Sequence, residues 1–188
     1  ESREVSATDT DWKVRTGQIR YSEIYMGETI DTDGAERKEG TVSAVEFDVS
    51  VLVPQENEPV RVTERIVPKR IFTDPAGNHL VDFGQNLTGL VEIKVKGEKG
   101  QKIAIRHAET LDQNGVFYPD TLRTAVSRDT YILNGEEQVL MPHFTFHGFR
   151  YIAVEGMEAL SPDMFTACVM HSDMKKTGSF HCSNEAVN

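Results

Sequence analysis

The stretch HFTFHGFRYIAVEG, residues 143–156, holds side chains that perform chemistry in many proteins: His143, His147, Arg150 and Glu155. Two histidines four apart serve as metal ligands on a helix, where one face gathers both, usually with a glutamate between them. Here the intervening residues are Phe144, Thr145 and Phe146, and Gly148 follows, so helix is disfavoured. Along a strand the same spacing separates the imidazoles by about 13 Å, too far for one ion without a bulge. The stretch is expected to be a strand, with His143, Thr145 and His147 on one side and Gly148 at a bulge or close backbone approach. No metal site is assigned to it. Arg150 sits among Phe149, Tyr151 and Ile152, so its guanidinium is expected to be partly buried and paired with a carboxylate.

Two other groups of carboxylates invite a catalytic or binding reading. Glu46, Asp48 and Ser50 alternate along a predicted strand and resemble an incomplete Glu-x-Asp-x-Glu glycosidase motif. A retaining glycosidase needs two carboxylates about 5 Å apart, and Ser50 stands where the acid/base would be. A solvated strand face explains Glu46 and Asp48 more simply. Asp112, Asn114 and Tyr118 lie in polar loops that could touch a sugar. Two oxygen donors there fall short of the roughly six to eight that calcium takes, and Asn114-Gly115 suits a hairpin turn. Asn86-Leu87-Thr88 is a formal glycosylation sequon, read here as part of a structural turn.

The elements that must position these residues follow a period of two. Val45, Phe47, Val49, Val51 and Val53 alternate with polar residues, and so do Val91, Ile93 and Val95. Further strands run through Ile103, Ile105 and His107, and through Phe165, Ala167 and Val169. Tyr131 to Leu133 leads into Asn134-Gly135 and returns through Val139 to Met141, the pattern of a type I′ hairpin. Residues 120–125 are the one short helix candidate, with Asp120 as cap. Many strands without intervening helices predict an all-β, antiparallel β-sandwich or jelly roll.

Composition narrows the function. The 188 residues carry 30 acidic and 20 basic side chains, a formal charge of −10, and no basic stripe for a nucleic acid. No apolar run has the length of a membrane span, and no signal-peptide pattern opens the chain, so its location is left unassigned. A start at Glu1 rather than Met is expected of a piece of something longer. Cys168 and Cys182 are too few for a disulfide framework, and Cys168 reads as a buried free thiol. The proline-flanked VPQENEP segment, residues 53–59, divides the chain, and the pattern changes again from Ser172. The division is residues 1–55, part of an upstream β module; 56–172, the β-sandwich; and 173–188, a lead-in to a further element.

Four blocks then resemble a known family: VDFGQNLTGLVEIKV (81–95), RHAETLDQNGVFY (106–118), FTFHGFRYIAVEG (144–156) and FHCSNEAVN (180–188). In order and spacing, over residues 60–188, they resemble bacterial α-L-rhamnosidases. That resemblance implies a concanavalin-like β-sandwich preceding an (α/α)6 barrel, entered near Ser179 and continuing past Asn188. It also implies inverting hydrolysis by a general acid and a general base, both in the barrel and so outside this chain. Trp12, Glu23 to Tyr25 and GETIDTD (27–33) are similar to the end of the family's preceding β module, with Ile30 for the usual tyrosine and Asp33 for the usual arginine. Some members bind rhamnose with calcium in that module, which makes Trp12, Glu28 and Asp31 sugar-binding candidates beside Asp112, Asn114 and Tyr118. No cofactor is called for.

The expectation is therefore a non-catalytic β-sandwich region of a multidomain α-L-rhamnosidase, partnered by the catalytic barrel of the same polypeptide. A carbohydrate-binding module for rhamnose-containing glycans is the alternative. Asp82 and Glu109, each in a family block, are the carboxylates expected to pair with Arg150.

Overall fold

The computed structural model describes residues 8–34 and 38–188. Among these the chain is all-β, its only helical pieces being single 3-10 turns at Val49–Val51, Asp120–Leu122 and Pro162–Met164. The strands are β1 (Lys13–Arg15), β2 (Ile19–Glu23), β3 (Gly27–Asp31), β4 (Glu39–Thr41), β5 (Val60–Ile66), β6 (Arg70–Thr73) and β7 (His79–Val95). They continue with β8 (Lys102–Ala108), β9 (Thr110–Leu111), β10 (Phe117–Tyr118), β11 (Arg128–Ile132), β12 (Gln138–Leu140), β13 (His147–Glu155) and β14 (Phe165–Ser172).

Ten strands form one curled sheet, ordered β2-β3-β11-β8-β13-β7-β14-β5, with β6 and β12 also pairing β7. Pairing is antiparallel except between β11 and β3, which run parallel. Residues 19–31, assigned by sequence to the upstream module, thus complete an edge of the main sheet, while β1 and β4 form a separate two-stranded ribbon.

The period-two pattern decides which side of each strand is buried. Val91, Ile93 and Val95 of β7, Ile103 and Ile105 of β8, Tyr131, Phe149, Ile152 and Phe165 meet in one core. Leu80, Ala108, Phe117, Tyr151 and Ala153 form a smaller cluster. At about 25 cal/mol per Å² of apolar surface, burying such side chains is the main favourable contribution to folding.

β7 can serve both halves of the curl because it bulges. Phe149 of β13 pairs with Leu87 and Tyr151 with Asp82, so residues 83–86 of β7 stand opposite Arg150 alone. Gly84 has φ +84°, a conformation that only glycine adopts freely. The bulge lies here, not at Gly148, and Asn86 belongs to this strand rather than to a turn.

Three local expectations are corrected. Residues 45–53 form no strand, and Val45, Phe47, Val49, Val51 and Val53 are 62–84% exposed. Alternation marks a face that needs cover, and no described element covers it. Asn134-Gly135 makes its turn, with Gly135 at φ +96° and Asn134 Oδ1 accepting from Glu136 N. Yet β12 pairs β7 instead of returning on β11, because β3 and β8 already occupy both edges of β11. Residues 120–125 give only one 3-10 turn, preceded by Pro119 with no side-chain cap, so Asp120 does not cap it.

Candidate functional site

A group of polar side chains is sealed under the end of the sheet where β3, β8, β11 and β13 meet. His107, Asp129 and His147 are 0%, 1% and 3% exposed. Strand alternation places His107 inward beside Ile103 and Ile105, and Asp129 inward beside Tyr131. The imidazoles of His107 and His147 stack, centroids 4.0 Å apart and planes 25° from parallel.

Asp129 is the hub. Its Oδ1 accepts the Glu28 backbone N–H at 3.0 Å, and His147 Nε2 lies 3.2 and 3.1 Å from its two oxygens. His107 is oriented by Nδ1, 2.9 Å from the Ser127 carbonyl. That carbonyl can only accept, so Nδ1 carries the proton and Nε2 is left as a lone pair. Nε2 has no hydrogen-bond partner and lies 3.9 Å from Asp129 Oδ2. Burial, then the neighbouring His147, pushes the His107 pKa down to about 3 against the pull of Asp129, so the ring is neutral at neutral pH. Tyr131 Oη is also buried without a partner; burial, then the Asp129 and Glu28 charges, raise its pKa well above the ordinary phenol value.

Glu28 extends the group. Its Oε1 accepts from His143 N at 2.9 Å and its Oε2 from Phe144 N at 3.0 Å, and its side chain is closed to solvent. Captured in this way, residues 143–146 leave the sheet, and β13 starts only at His147. His143 and His147 therefore do not share a strand face. His143 approaches Glu28, with Nδ1 at 3.3 Å, whereas His147 turns to Asp129.

The second group centres on Asp82, a buried carboxylate of β7. Arg150 Nε and Nη2 donate to its two oxygens at 2.9 and 3.1 Å, Arg70 Nε donates at 3.3 Å, and Gly84 N at 2.7 Å. Glu109, the other carboxylate considered for Arg150, instead accepts from Asn86 Nδ2 at 3.3 Å. A third carboxylate, Asp74, accepts from the backbone of Ala76, Asn78 and Phe117 and from Asn78 Nδ2, and so pins β10 to the loop before β7.

Burial alone would raise the pKa of Asp74 and Asp82. Their donors outweigh it, above all Phe117 N–H for Asp74 and Arg150 for Asp82, and hold both below the usual carboxylate range. A depressed folded-state pKa stabilises the fold at pH values above the unfolded pKa, and that contribution is lost as pH falls through the folded value. The stability advantage of wild type over Asp74→Asn is therefore expected to be constant above about pH 5 and to shrink below about pH 3.9. Urea unfolding of both chains between neutral and acidic pH measures it; an advantage that grows on acidification contradicts the assignment.

The sugar-binding candidates are scattered. Glu28 has both oxygens bonded inside the protein and offers none to a sugar. Asp31 is paired with Arg20 at 3.1 Å and accepts from Asp33 N. Trp12 is exposed beside the small ribbon, lining a depression with Thr10 and Val45. Asp112 holds its own turn, accepting from Asn114 N and Val116 N at 2.8 Å each, with Gly115 at φ +79°. Tyr118 and Asp112 do share a depression, with Thr110, Leu111 and Gln113. Glu46 and Asp48 lie off any strand, and Asp48 caps a 3-10 turn through Ser50 N at 3.0 Å. Cys168 is buried and free.

Reading motifs along the sequence missed Asp74, Asp129 and the partnership of His107 with His147. The available signal was a charged residue at an inward strand position, which demands a partner. Its partners come from strands far apart in sequence.

Comparison with known proteins accords with this architecture. Residues 73–171 match the family model described as the bacterial alpha-L-rhamnosidase concanavalin-like domain, and residues 1–64 match the alpha-L-rhamnosidase N-terminal domain. An alpha-L-rhamnosidase of Streptomyces avermitilis is 34% identical, matched over 95% of this chain and 18% of its own length. One of Formosa agariphila is 36% identical, over 96% of this chain and 21% of its own. The crystal structure of native alpha-L-rhamnosidase from Aspergillus terreus superposes with a TM-score of 0.84 at 36% identity, covering 96% of this chain and 22% of that one. The Streptomyces avermitilis enzyme complexed with L-rhamnose gives 0.86 at 32% identity, covering 96% and 19%. The chain thus spans about a fifth of the length of these relatives. With its curled all-β sheet and a family match through most of that sheet, the chain belongs to the bacterial alpha-L-rhamnosidase concanavalin-like domain family.

Proposed function

We propose that this chain is the non-catalytic β-sandwich region of a multidomain α-L-rhamnosidase, where it supports and orients a catalytic barrel that hydrolyses terminal α-L-rhamnosides with inversion. One observation carries the reading: nearly the whole chain aligns with only about a fifth of each relative. Two features support it. Glu46 and Asp48 lie off any strand, Asp48 being used as a cap, which leaves the jelly-roll glycosidase motif without its geometry. Val45, Phe47, Val49, Val51 and Val53 present apolar side chains that no described element covers, a surface suited to the rest of the same polypeptide. Glycan binding is not assigned, because Trp12 and Tyr118, the exposed rings considered for it, line separate depressions.

The test compares the purified chain with the full-length enzyme on an aryl α-L-rhamnoside. The chain is expected to give no turnover above buffer while the longer protein hydrolyses the substrate. Turnover by the chain that disappears in Glu46→Gln overturns the proposal.

A further inference from the structure

We propose that His107, Asp129 and His147 form a binding site for a single divalent transition-metal ion of the zinc class. The donor atoms lie within 4.8 Å of one another, and all three residues are buried. The stacked rings of His107 and His147, 25° from parallel, must turn so that both nitrogens point at one ion. Contraction by a fraction of an ångström per side chain then brings the set to zinc-ligand distances of about 2.0–2.2 Å. Two imidazoles and one carboxylate match borderline zinc, not calcium or magnesium, which take oxygen donors.

The independent sign of a ligand is the state of His107. Its Nδ1–H is committed to the Ser127 carbonyl, so the Nε2 lone pair, without a protein partner, faces the oxygen of a buried carboxylate at 3.9 Å. Lone pair against anion is unfavourable in a site closed to bulk water. A cation placed there satisfies His107 Nε2 and takes the place of the contact from His147 Nε2 to Asp129; the His147 Nε2 proton passes to solvent or to Nδ1 as that nitrogen becomes a ligand. The outer contacts are those that metal ligands use. A backbone carbonyl fixes the His107 tautomer and ring direction, and the Glu28 N–H holds the carboxylate. Three protein ligands leave a fourth position for water. Tyr131 Oη, unpartnered two residues from Asp129 on the same strand face, is a candidate hydrogen-bond partner for it.

Because β8, β11 and β13 supply one ligand each, a bound ion would tie three strands of the sheet together. The role is structural and independent of the function proposed above.

The full chain, stripped with a chelator and dialysed, is titrated with Zn(II) by calorimetry, and bound metal is counted by plasma mass spectrometry after desalting. One equivalent per chain and a raised melting temperature are expected, with uptake lost in His107→Gln and in Asp129→Asn but kept in His171→Gln, an exposed histidine. Absence of stoichiometric uptake by the folded wild-type chain overturns the proposal. So does uptake that survives in folded His107→Gln, which places the ion elsewhere. Should the variants fail to fold, zinc-edge X-ray absorption on the wild-type chain decides the matter. A shell with two imidazoles and an oxygen donor is expected, and a shell of oxygens alone overturns the proposal.

Discussion

Asp82→Ala is expected to destabilise the chain by roughly 1.5–3 kcal/mol, the range for hydrogen bonds to a charged group. The Arg150 and Arg70 side chains it releases are 36% and 56% exposed and can be solvated, which keeps the loss in that range. Asp82 ties together two guanidiniums and the Gly84 N–H across the β7 bulge, and alanine leaves all three donors without their acceptor. Arg150→Ala should fall at the lower end of that range, because Arg70 and Gly84 still serve the buried carboxylate. Urea denaturation of the two single variants and the double variant measures the coupling, expected at about 0.5–3 kcal/mol for side chains in direct contact. A substrate-touching role for Arg150 predicts the opposite pattern. Unchanged melting temperature in Arg150→Ala, with reduced turnover by the full-length enzyme, would sink the structural assignment.

Glu28→Ala should have an effect at least as large. Its carboxylate accepts the backbone N–H groups of His143 and Phe144, and each donor left unsatisfied costs about 1–3 kcal/mol, or roughly 2–6 kcal/mol for both. The loss should be local as well as global. Amide hydrogen exchange at residues 143 and 144 is expected to accelerate strongly, while the exchange of β7 residues such as Ile93 stays slow. Glu28→Gln, which keeps one acceptor oxygen, should recover part of the stability. If Glu28 were instead a sugar ligand, both variants would retain the melting temperature and the exchange rates of wild type. That outcome would return it to the binding candidates.

Alternation in the sequence determined the class of fold and most of the buried strand faces. Val91, Ile93 and Val95 lie in the core opposite Glu92 and Lys94 because a strand has only two sides. The four sequence blocks also pointed to the family, and the family model matches residues 73–171. Tertiary structure decided everything that depends on a partner. Residues 45–53 carry as clear an alternation as any strand here, yet they stay unpaired, since pattern signals a need for cover without supplying it. Asn134-Gly135 turns the chain as its residue types require, but the returning strand goes to β7 because both edges of β11 are filled. His143 and His147, adjacent in any linear reading, are pulled apart by Glu28 and Asp129, residues 115 and 18 positions away from them. A buried polar atom finds its partner by proximity in space, and the pairing of strands far apart in sequence sets that proximity.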